Sequence, residues 1–312
     1  MKINRSISGI LTSFSLCLLT GLVIGLLPSN AAGQVKVISM EKLTLGSGRS
    51  WAYGQFSPDG KRVYFSTLSY DGIWSYDIDT RRLVTITEDK GSGYEFVLSA
   101  DEKTITYRRT ITQFPAKRLQ QIVEKNLDTG IEEIRMSGMS VSAPRLASRF
   151  AARQGGALQK GVSIPVAVGI DKTKITVERE GHATVLDPFE GGRYIWPSLA
   201  PSADKLAAYE MGKGLFVCSL DGTEVSQLGK YTAPSWTFDG AWIVATKERD
   251  DGHQLLSSDL FCLSPESRVV VQLTATPDVF ELFPSCSPSG RMIVFHTPNG
   301  ELYLLTYEEE RP

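Results

Sequence analysis

Histidine, cysteine and clustered basic residues are all scarce in this chain of 312 residues. It contains three histidines, four cysteines, and 33 lysines and arginines against 35 acidic residues. A surface that follows a nucleic-acid backbone needs clustered lysine and arginine, and the best local cluster, Arg108, Arg109, Lys117 and Arg118, is short and interrupted. The composition therefore predicts no nucleic-acid partner. The 42% of hydrophobic residues indicates a packed globular protein.

Sequence signatures of catalysis and of cofactor binding are also scarce. The chain has no Gly-x-Ser-x-Gly string, which the nucleophile elbow of a serine hydrolase requires. Its histidines, His182, His253 and His296, are not spaced as a metal-binding pair. The sequence therefore predicts no cofactor, no metal site and no catalytic residue.

The first 32 residues have the layout of a secretory signal peptide. Lys2 and Arg5 are followed by an uncharged, mostly apolar run over residues 7–27, then by Pro28 and small residues. We predict cleavage near Ala31, a periplasmic or secreted protein, and no membrane insertion after cleavage. The alternative is an uncleaved anchor, because the apolar run is long enough to span a bilayer.

Three cysteines remain after such cleavage: Cys218, Cys262 and Cys286. An odd number leaves at least one thiol unpaired in an oxidising compartment, so the chain is not a disulfide scaffold. We predict that they are small buried residues, and their pairing stays open.

A turn motif recurs along the rest of the chain. Its clearest copy is Ser57-Pro58-Asp59-Gly60, followed by an alternating apolar strand; Pro presets the turn, Asp bonds the backbone ahead, and Gly adopts positive φ. The copies are roughly 46 residues apart on average, which suits a four-stranded propeller blade. Their anchor positions are Ser57, Ser99, Ala147, Ala200, Thr237 and Ser287.

The repeat predicts an all-β fold: a six-bladed β-propeller of four-stranded antiparallel blades over residues 33–312. The blades begin near residues 52, 94, 142, 195, 232 and 282. Blade six lacks room for a fourth strand, whereas residues 41–45 resemble the fourth strands of other blades. We therefore predict that the N-terminal strand joins the last blade and closes the ring, which leaves no open terminal edge.

The Ser-Pro-Asp-Gly-Lys turn with its downstream Asp hairpin resembles the TolB-type, WD40-like β-propeller repeat, over about residues 42–307. The resemblance implies a propeller that serves as a binding platform outside the cytoplasm, here without the α/β domain that precedes the propeller in TolB. Similar repeats also form the propellers of prolyl-oligopeptidase-like peptidases and of oligogalacturonate lyases.

Aromatic residues are concentrated in the segments that lead into the first strand of each blade. Rings at one rim of a propeller supply a large contact area at little entropic cost, as a peptide or carbohydrate contact requires. The alternative is that some of these rings wedge between blades. The candidate partner-binding residues are Trp51, Tyr53, Tyr94, Glu95, Arg193, Tyr194, Trp196, Phe280 and Glu281.

These features predict a monomeric, non-catalytic binding module that presents its rim to an envelope protein or peptide, or to a carbohydrate. The alternative is a carbohydrate-active or metal-dependent lyase or hydrolase that uses the central channel. That alternative requires His253 and His296 to converge with nearby acids such as Asp250 and Asp251.

Overall fold

The computed structural model describes residues 34–46, 48–113, 117–139, 166–179 and 181–310. Its secondary structure consists of 23 strands arranged in six small antiparallel sheets. The signal peptide predicted over residues 1–32 and the start of blade three near residue 142 lie outside the described residues. No helix among the residues placed in the structure is long and apolar enough to cross a membrane.

The six sheets are the blades of a propeller, and this confirms the predicted fold class. Blades one and two contain β2 (Trp51–Phe56), β3 (Arg62–Thr67), β4 (Ile73–Asp77), β5 (Leu83–Thr87), β6 (Val97–Leu98), β7 (Thr104–Gln113), β8 (Lys117–Asn126) and β9 (Glu132–Gly138). Blade three contains, among the described residues, β10 (Val166–Asp171), β11 (Lys174–Arg179) and β12 (His182–Leu186).

The remaining blades complete the ring. Blades four and five contain β13 (Tyr194–Leu199), β14 (Lys205–Glu210), β15 (Gly214–Ser219), β16 (Ser226–Gly229), β17 (Thr232–Trp236), β18 (Ile243–Asp250), β19 (Leu255–Leu263) and β20 (Val270–Gln272). Blade six contains β21 (Leu282–Cys286), β22 (Met292–His296), β23 (Leu302–Glu310) and, as its outermost strand, β1 (Gln34–Lys42).

The recurring turn forms through short-range hydrogen bonds. In blade one the Ser57 hydroxyl donates to Asp59 Oδ1 at 2.7 Å, and the same carboxylate oxygen accepts from the Lys61 N–H at 2.9 Å. Thr237 and Asp239 repeat the first bond in blade five, also at 2.7 Å. Because these partners lie within a few residues of one another, each turn is determined by its own sequence.

The N-terminal strand closes the ring as predicted, with a different span. β1 pairs antiparallel with β23, from Gln34 opposite Glu310 to Lys42 opposite Tyr303. The strand was expected at residues 41–45, but it begins at Gln34, and Leu43 and Leu45 beyond its end are buried against blade one. The paired strand attaches the start of the described chain to blade six, and the two buried leucines attach it to blade one.

The turns of blades six and one also touch where the ring closes. Ser289 Oγ donates to the Asp59 carbonyl at 2.8 Å. Gly60, at φ +75°, lies so close that a Cβ there would be 2.0 Å from Ser289 Oγ. Glycine is therefore required both by its conformation and by the neighbouring blade.

The antiparallel order places equivalent elements on the same side of the propeller. The first strand of each blade starts at one side, which we call the mouth face, and ends at the recurring turn on the opposite side, the turn face. The hairpins between second and third strands and the connections between blades also lie at the mouth face. The predicted rim residues therefore all belong to segments at or beside the mouth face.

Candidate functional site: the mouth face

Each of the five blades whose first strand is described has a residue with positive φ at the same distance before its turn. These residues stand four positions before the turn anchor of their blade, and their φ angles lie between 49° and 58°. In blades one, four, five and six they fall at an irregularity in the pairing of the first two strands. They are Tyr53, Glu95, Trp196, Ala233 and Phe283.

Positive φ is an unfavourable conformation for such residues. It costs on the order of 1 kcal/mol or more at each position and persists only where the surrounding structure imposes it. The turn anchors of the same blades are small residues. The strained position, by contrast, carries a phenol, a phenyl ring, an indole, a carboxylate and a methyl group. The backbone feature is thus repeated while the side chain it presents changes from blade to blade.

Three of these side chains belong to a continuous set of aromatic contacts, which we call the aromatic ladder. Tyr53 stacks on Tyr70 with ring centroids 4.3 Å apart, and its ring edge meets Phe283 at 5.7 Å. Phe283 contacts Trp196 at 5.8 Å. The full ladder, in order of contact, is Tyr209, Trp196, Phe283, Tyr53, Tyr70 and Tyr94, with His296 beside Phe283 and Tyr53.

The ladder joins blades that are not neighbours. Trp196 belongs to blade four and Phe283 to blade six, and the corresponding residue of blade five between them is Ala233. A methyl group at that position leaves room for the indole to reach the phenyl ring. Tyr94, which is 38% exposed, forms the other end at blade two.

His296 is a buried residue that packs against two rings of the ladder, Tyr53 and Phe283. Its ring stacks on Phe283 at an interplanar angle of 7°, and its Nδ1 accepts a hydrogen bond from the Tyr53 N–H at 3.3 Å. Burial lowers the pKa of His296 to about 4, so the imidazole is neutral and able to accept this bond at neutral pH. The bond satisfies the N–H of a residue whose backbone is strained.

Two long hairpins rise beside the ladder. The hairpin of β7 and β8 is longer than the first strand of blade two, so it extends beyond that strand at the mouth face. The hairpin of β18 and β19 likewise extends beyond Thr246, the last residue of β18 that pairs with the first strand of blade five. Blades two and five are three positions apart in a ring of six, so the hairpins stand on opposite sides of the mouth face. In the blade-five hairpin β18 continues to Asp250 and β19 begins at Leu255.

Six of the nine predicted rim residues are exposed or half-buried at the mouth face: Tyr53, Tyr94, Glu95, Arg193, Trp196 and Phe280. Tyr53, Tyr94 and Trp196 are brought together in the ladder, and Glu95 lies next to Tyr94. The ladder residues outside the nine candidates are Tyr70, Tyr209, Phe283 and His296, of which Phe283 belongs to the aromatic residues concentrated at the start of the blades. The fixed offset from the turn anchor identifies Phe283, but no local signal identifies the two tyrosines, which lie at the ends of other strands.

The other three predicted rim residues are buried, so the expectation that they face a partner was wrong. Trp51 is 6% exposed and packs edge-on against Phe65 and Trp74, which is the wedge role given as the alternative. Tyr194 is fully buried, and its hydroxyl donates to Asp187 Oδ1 at 2.7 Å. Its ring therefore packs between blades three and four.

Glu281, the third of these residues, is a buried carboxyl group beneath the blade-five hairpin. Its Oε1 accepts from Thr276 Oγ1 at 2.6 Å, and its backbone carbonyl accepts from Ser258 Oγ at 2.5 Å. Among the described residues its Oε2 has no hydrogen-bond partner. Burial raises the pKa of Glu281 to about 7, because the ionised form has too few donors in this site.

This carboxyl group predicts a pH dependence of stability. A folded-state pKa above the usual value of about 4.3 means that the folded protein binds the proton more tightly, so the contribution of Glu281 to stability is fully present below pH ~4.5 and is lost as the pH rises to about 7. The fall attributable to Glu281 should be on the order of 2–3 kcal/mol. We expect urea unfolding between pH 5 and 8 to show this fall in the wild type and to show it reduced in Glu281→Gln. An equal pH slope in both proteins would contradict the assignment.

The histidines do not meet in the manner that the enzyme alternative requires. His296 is 1% exposed within the ladder, His253 is exposed at the tip of the blade-five hairpin, and His182 is exposed at a hairpin of the turn face. Within the described ranges, no three histidine, cysteine or acidic side chains are grouped so that they could hold a metal ion. Cys218, Cys262 and Cys286 are free thiols, two of them buried, and burial raises the pKa of each.

Comparison with solved structures gives the same fold. The chain is similar to the β-propeller domain of Cps50 (Swd1) from Myceliophteria thermophila, with 10% identity, a TM-score of 0.54, and coverage of 85% of this chain and 99% of that one. It is also similar to the tricorn protease, with 11% identity, a TM-score of 0.52, and coverage of 84% of this chain but only 26% of that one.

An oligogalacturonate lyase in complex with manganese is 15% identical, with a TM-score of 0.45 and coverage of 89% and 98%. No protein-family model and no curated protein matches the sequence. At such low identities the likenesses concern the fold alone. The chain is therefore a six-bladed β-propeller with an aromatic ladder at its mouth face.

Proposed function

We propose that this protein is a non-catalytic binding module outside the cytoplasm, and that its mouth face binds a protein or peptide partner. The observation that carries the proposal is the strained position four residues before each turn anchor. Its backbone conformation recurs in the five blades whose first strand is described, whereas its side chain differs in each. A scaffold that keeps the backbone and changes the side chain is what a recognition surface requires.

The ladder has the physical properties of a binding surface. Its rings lie at the mouth face, half-buried apart from the exposed Tyr94, and each is held by ring contacts of 4.3–5.8 Å. Such rings lose little side-chain entropy when a partner covers them, and they provide most of the binding energy in many interfaces. The two hairpins can flank whatever covers the ladder.

Two further features support a location outside the cytoplasm and a binding role rather than a catalytic one. The N-terminal segment has the layout of a secretory signal, and the turn repeat resembles the TolB-type repeat of envelope propellers. The groups of the aromatic ladder are ring side chains and a buried, neutral histidine that is already used as an acceptor. These groups are suited to contact rather than to proton transfer.

The proposal is tested by removing ladder rings without disturbing the fold. Trp196→Gly deletes the indole at a position where φ is +54°, which glycine adopts freely, so the fold should be kept. Tyr94→Ala deletes the exposed end of the ladder. We expect each variant to reduce crosslinked capture of the partner from the native cell envelope by about tenfold, with little change in Tm.

Phe238→Ala is the matched control, because Phe238 is a half-buried aromatic residue on the turn face. It should leave the captured partner unchanged. If Trp196→Gly and Tyr94→Ala capture the same proteins in the same amounts as the wild type, the mouth face is not the binding surface.

A further inference from the structure

One arginine contacts the Tyr94 end of the aromatic ladder, and a second arginine lies close in the chain to Trp196, near the other end. The Arg108 guanidinium stands over the Tyr94 ring, with its Cζ 5.0 Å from the ring centroid. Arg193 is exposed and comes three residues before Trp196, at the start of the first strand of blade four. The ladder between them consists of aromatic rings, and the exposed Glu95 beside Tyr94 carries the opposite charge.

Neither arginine forms an ion pair with the residues that the structure describes. The contrast with the adjacent Arg109 is direct: its guanidinium binds Asp89 at 3.2 Å and Glu132 at 3.0 Å. The backbone of Arg193 is held, because its N–H donates to Glu210 and its carbonyl accepts from the Met211 N–H. Its side chain is thus presented from a fixed position.

The length of the ladder suits a short extended chain. Four ring contacts of 4.3–5.8 Å separate Tyr94 from Trp196. An extended peptide advances about 3.3 Å per residue, so six or seven residues span ~20 Å, which is the upper limit that these four contacts set for the distance between Tyr94 and Trp196. Acidic side chains near the two ends of such a peptide would reach the two guanidinium groups.

The way the rings are packed favours a peptide over a saccharide. A sugar ring needs an aromatic face open to solvent, and here several faces are covered from within. Tyr53 and Tyr70 cover each other, Phe283 faces His296, and Arg108 covers Tyr94. Each of these contacts covers one face of a ring, and the ring edges and the clefts between rings accept aliphatic and aromatic side chains.

We propose that the partner bound at the mouth face is an extended peptide segment with acidic side chains about six residues apart, which pair with Arg108 and Arg193 across the ladder. The inference rests on the proposed function and specifies its ligand. Glu95 carries an opposing charge beside the Tyr94 hydroxyl, and it weakens the attraction at the Arg108 end. Removal of that charge should therefore strengthen binding of an acidic peptide.

The test uses three fluorescein-labelled heptapeptides with blocked ends: Glu-Phe-Ser-Leu-Ser-Phe-Glu, and the same sequence with Gln or Lys at both ends. Fluorescence anisotropy with the full chain at low salt should give the order Glu, Gln, Lys in decreasing affinity. Arg108→Gln and Arg193→Gln should each weaken binding of the Glu peptide about threefold to fivefold and leave the Gln peptide unchanged. Glu95→Gln should tighten binding of the Glu peptide.

Arg82→Gln is the control for net charge, because Arg82 is exposed at a hairpin of the turn face. Equal affinities for the Glu and Gln peptides, a charge preference that survives Arg108→Gln combined with Arg193→Gln, or no peptide binding up to about 1 mM would each overturn the inference. Binding of an acidic oligosaccharide in place of the peptides would also overturn it.

The ladder variant separates this inference from the proposed function. If Trp196→Gly weakens binding of both the Glu and the Gln peptide while the arginine variants have no effect, the mouth face binds peptides without charge selection. If Trp196→Gly leaves both affinities unchanged, the mouth face itself is not the site.

Discussion

Deletion of residues 35–45 is expected to abolish soluble, monomeric folding. The deletion removes the outermost strand of blade six together with three buried side chains, Val35, Leu43 and Leu45. Each contributes about 1.5–3 kcal/mol by burial, so their sum is comparable to the whole stability of a typical domain. The deletion also exposes the hydrogen-bonding edge of β23, along which a second chain can pair.

The measurement is the soluble fraction after expression, followed by size-exclusion chromatography. Ile38→Ser is a matched control, since Ile38 lies in the same strand but is 54% exposed and should tolerate the change. Leu43→Ser, at a buried position, should lower the melting temperature instead. A deletion variant that elutes as a monomer with an unchanged Tm would show that the ring closes without β1.

Trp51→Ala should destabilise the protein by about 3–5 kcal/mol, as expected for a large buried aromatic residue cut back to alanine. The indole is 6% exposed, with ring centroids 5.3 Å from Phe65 and 4.9 Å from Trp74. In a protein of this size that loss corresponds to a Tm lower by roughly 6–20 °C. Thermal and urea unfolding of the purified variant measure it.

Two comparisons make this prediction specific. Trp196→Gly should change Tm little, although no sequence pattern distinguishes Trp196 from Trp51. Trp51→Phe should cost less than Trp51→Ala, because it keeps an aromatic ring and removes an indole N–H that has no partner among the described residues. A Trp51→Ala variant with unchanged Tm and lost partner capture would return Trp51 to the binding surface.

The repeat was predictable because its signal is local. The hydrogen bonds of the turn join Ser57, Asp59 and Lys61, so the residues that specify the turn are nearly adjacent in the chain. The closure of the ring was predictable from the number of strands in each blade. Blade six lacked a fourth strand, and the N-terminal segment could supply one. Its pairing between Lys42 and Tyr303 confirms that reasoning.

The candidate site was predictable only in outline. Aromatic residues before the first strands indicated a rim, but their exposure depends on where each strand is irregular and on which blade lies next to it. Trp51 and Tyr53 are two residues apart, yet one is in the core and the other is in the ladder. A strand pattern alone does not reveal the positive φ of Tyr53. That conformation occurs where the pairing of the first and second strands is irregular.

The amino-acid sequence by itself therefore determined the blade, its turn, the number of copies and the partner of the N-terminal strand, because these depend on contacts within a blade or on simple pairing of edges. The tertiary structure alone decided which rings meet. Tyr53, Phe283 and Trp196 come from three blades far apart in the chain, and they touch only because the ring brings their first strands around one axis and a small side chain at Ala233 leaves space between them.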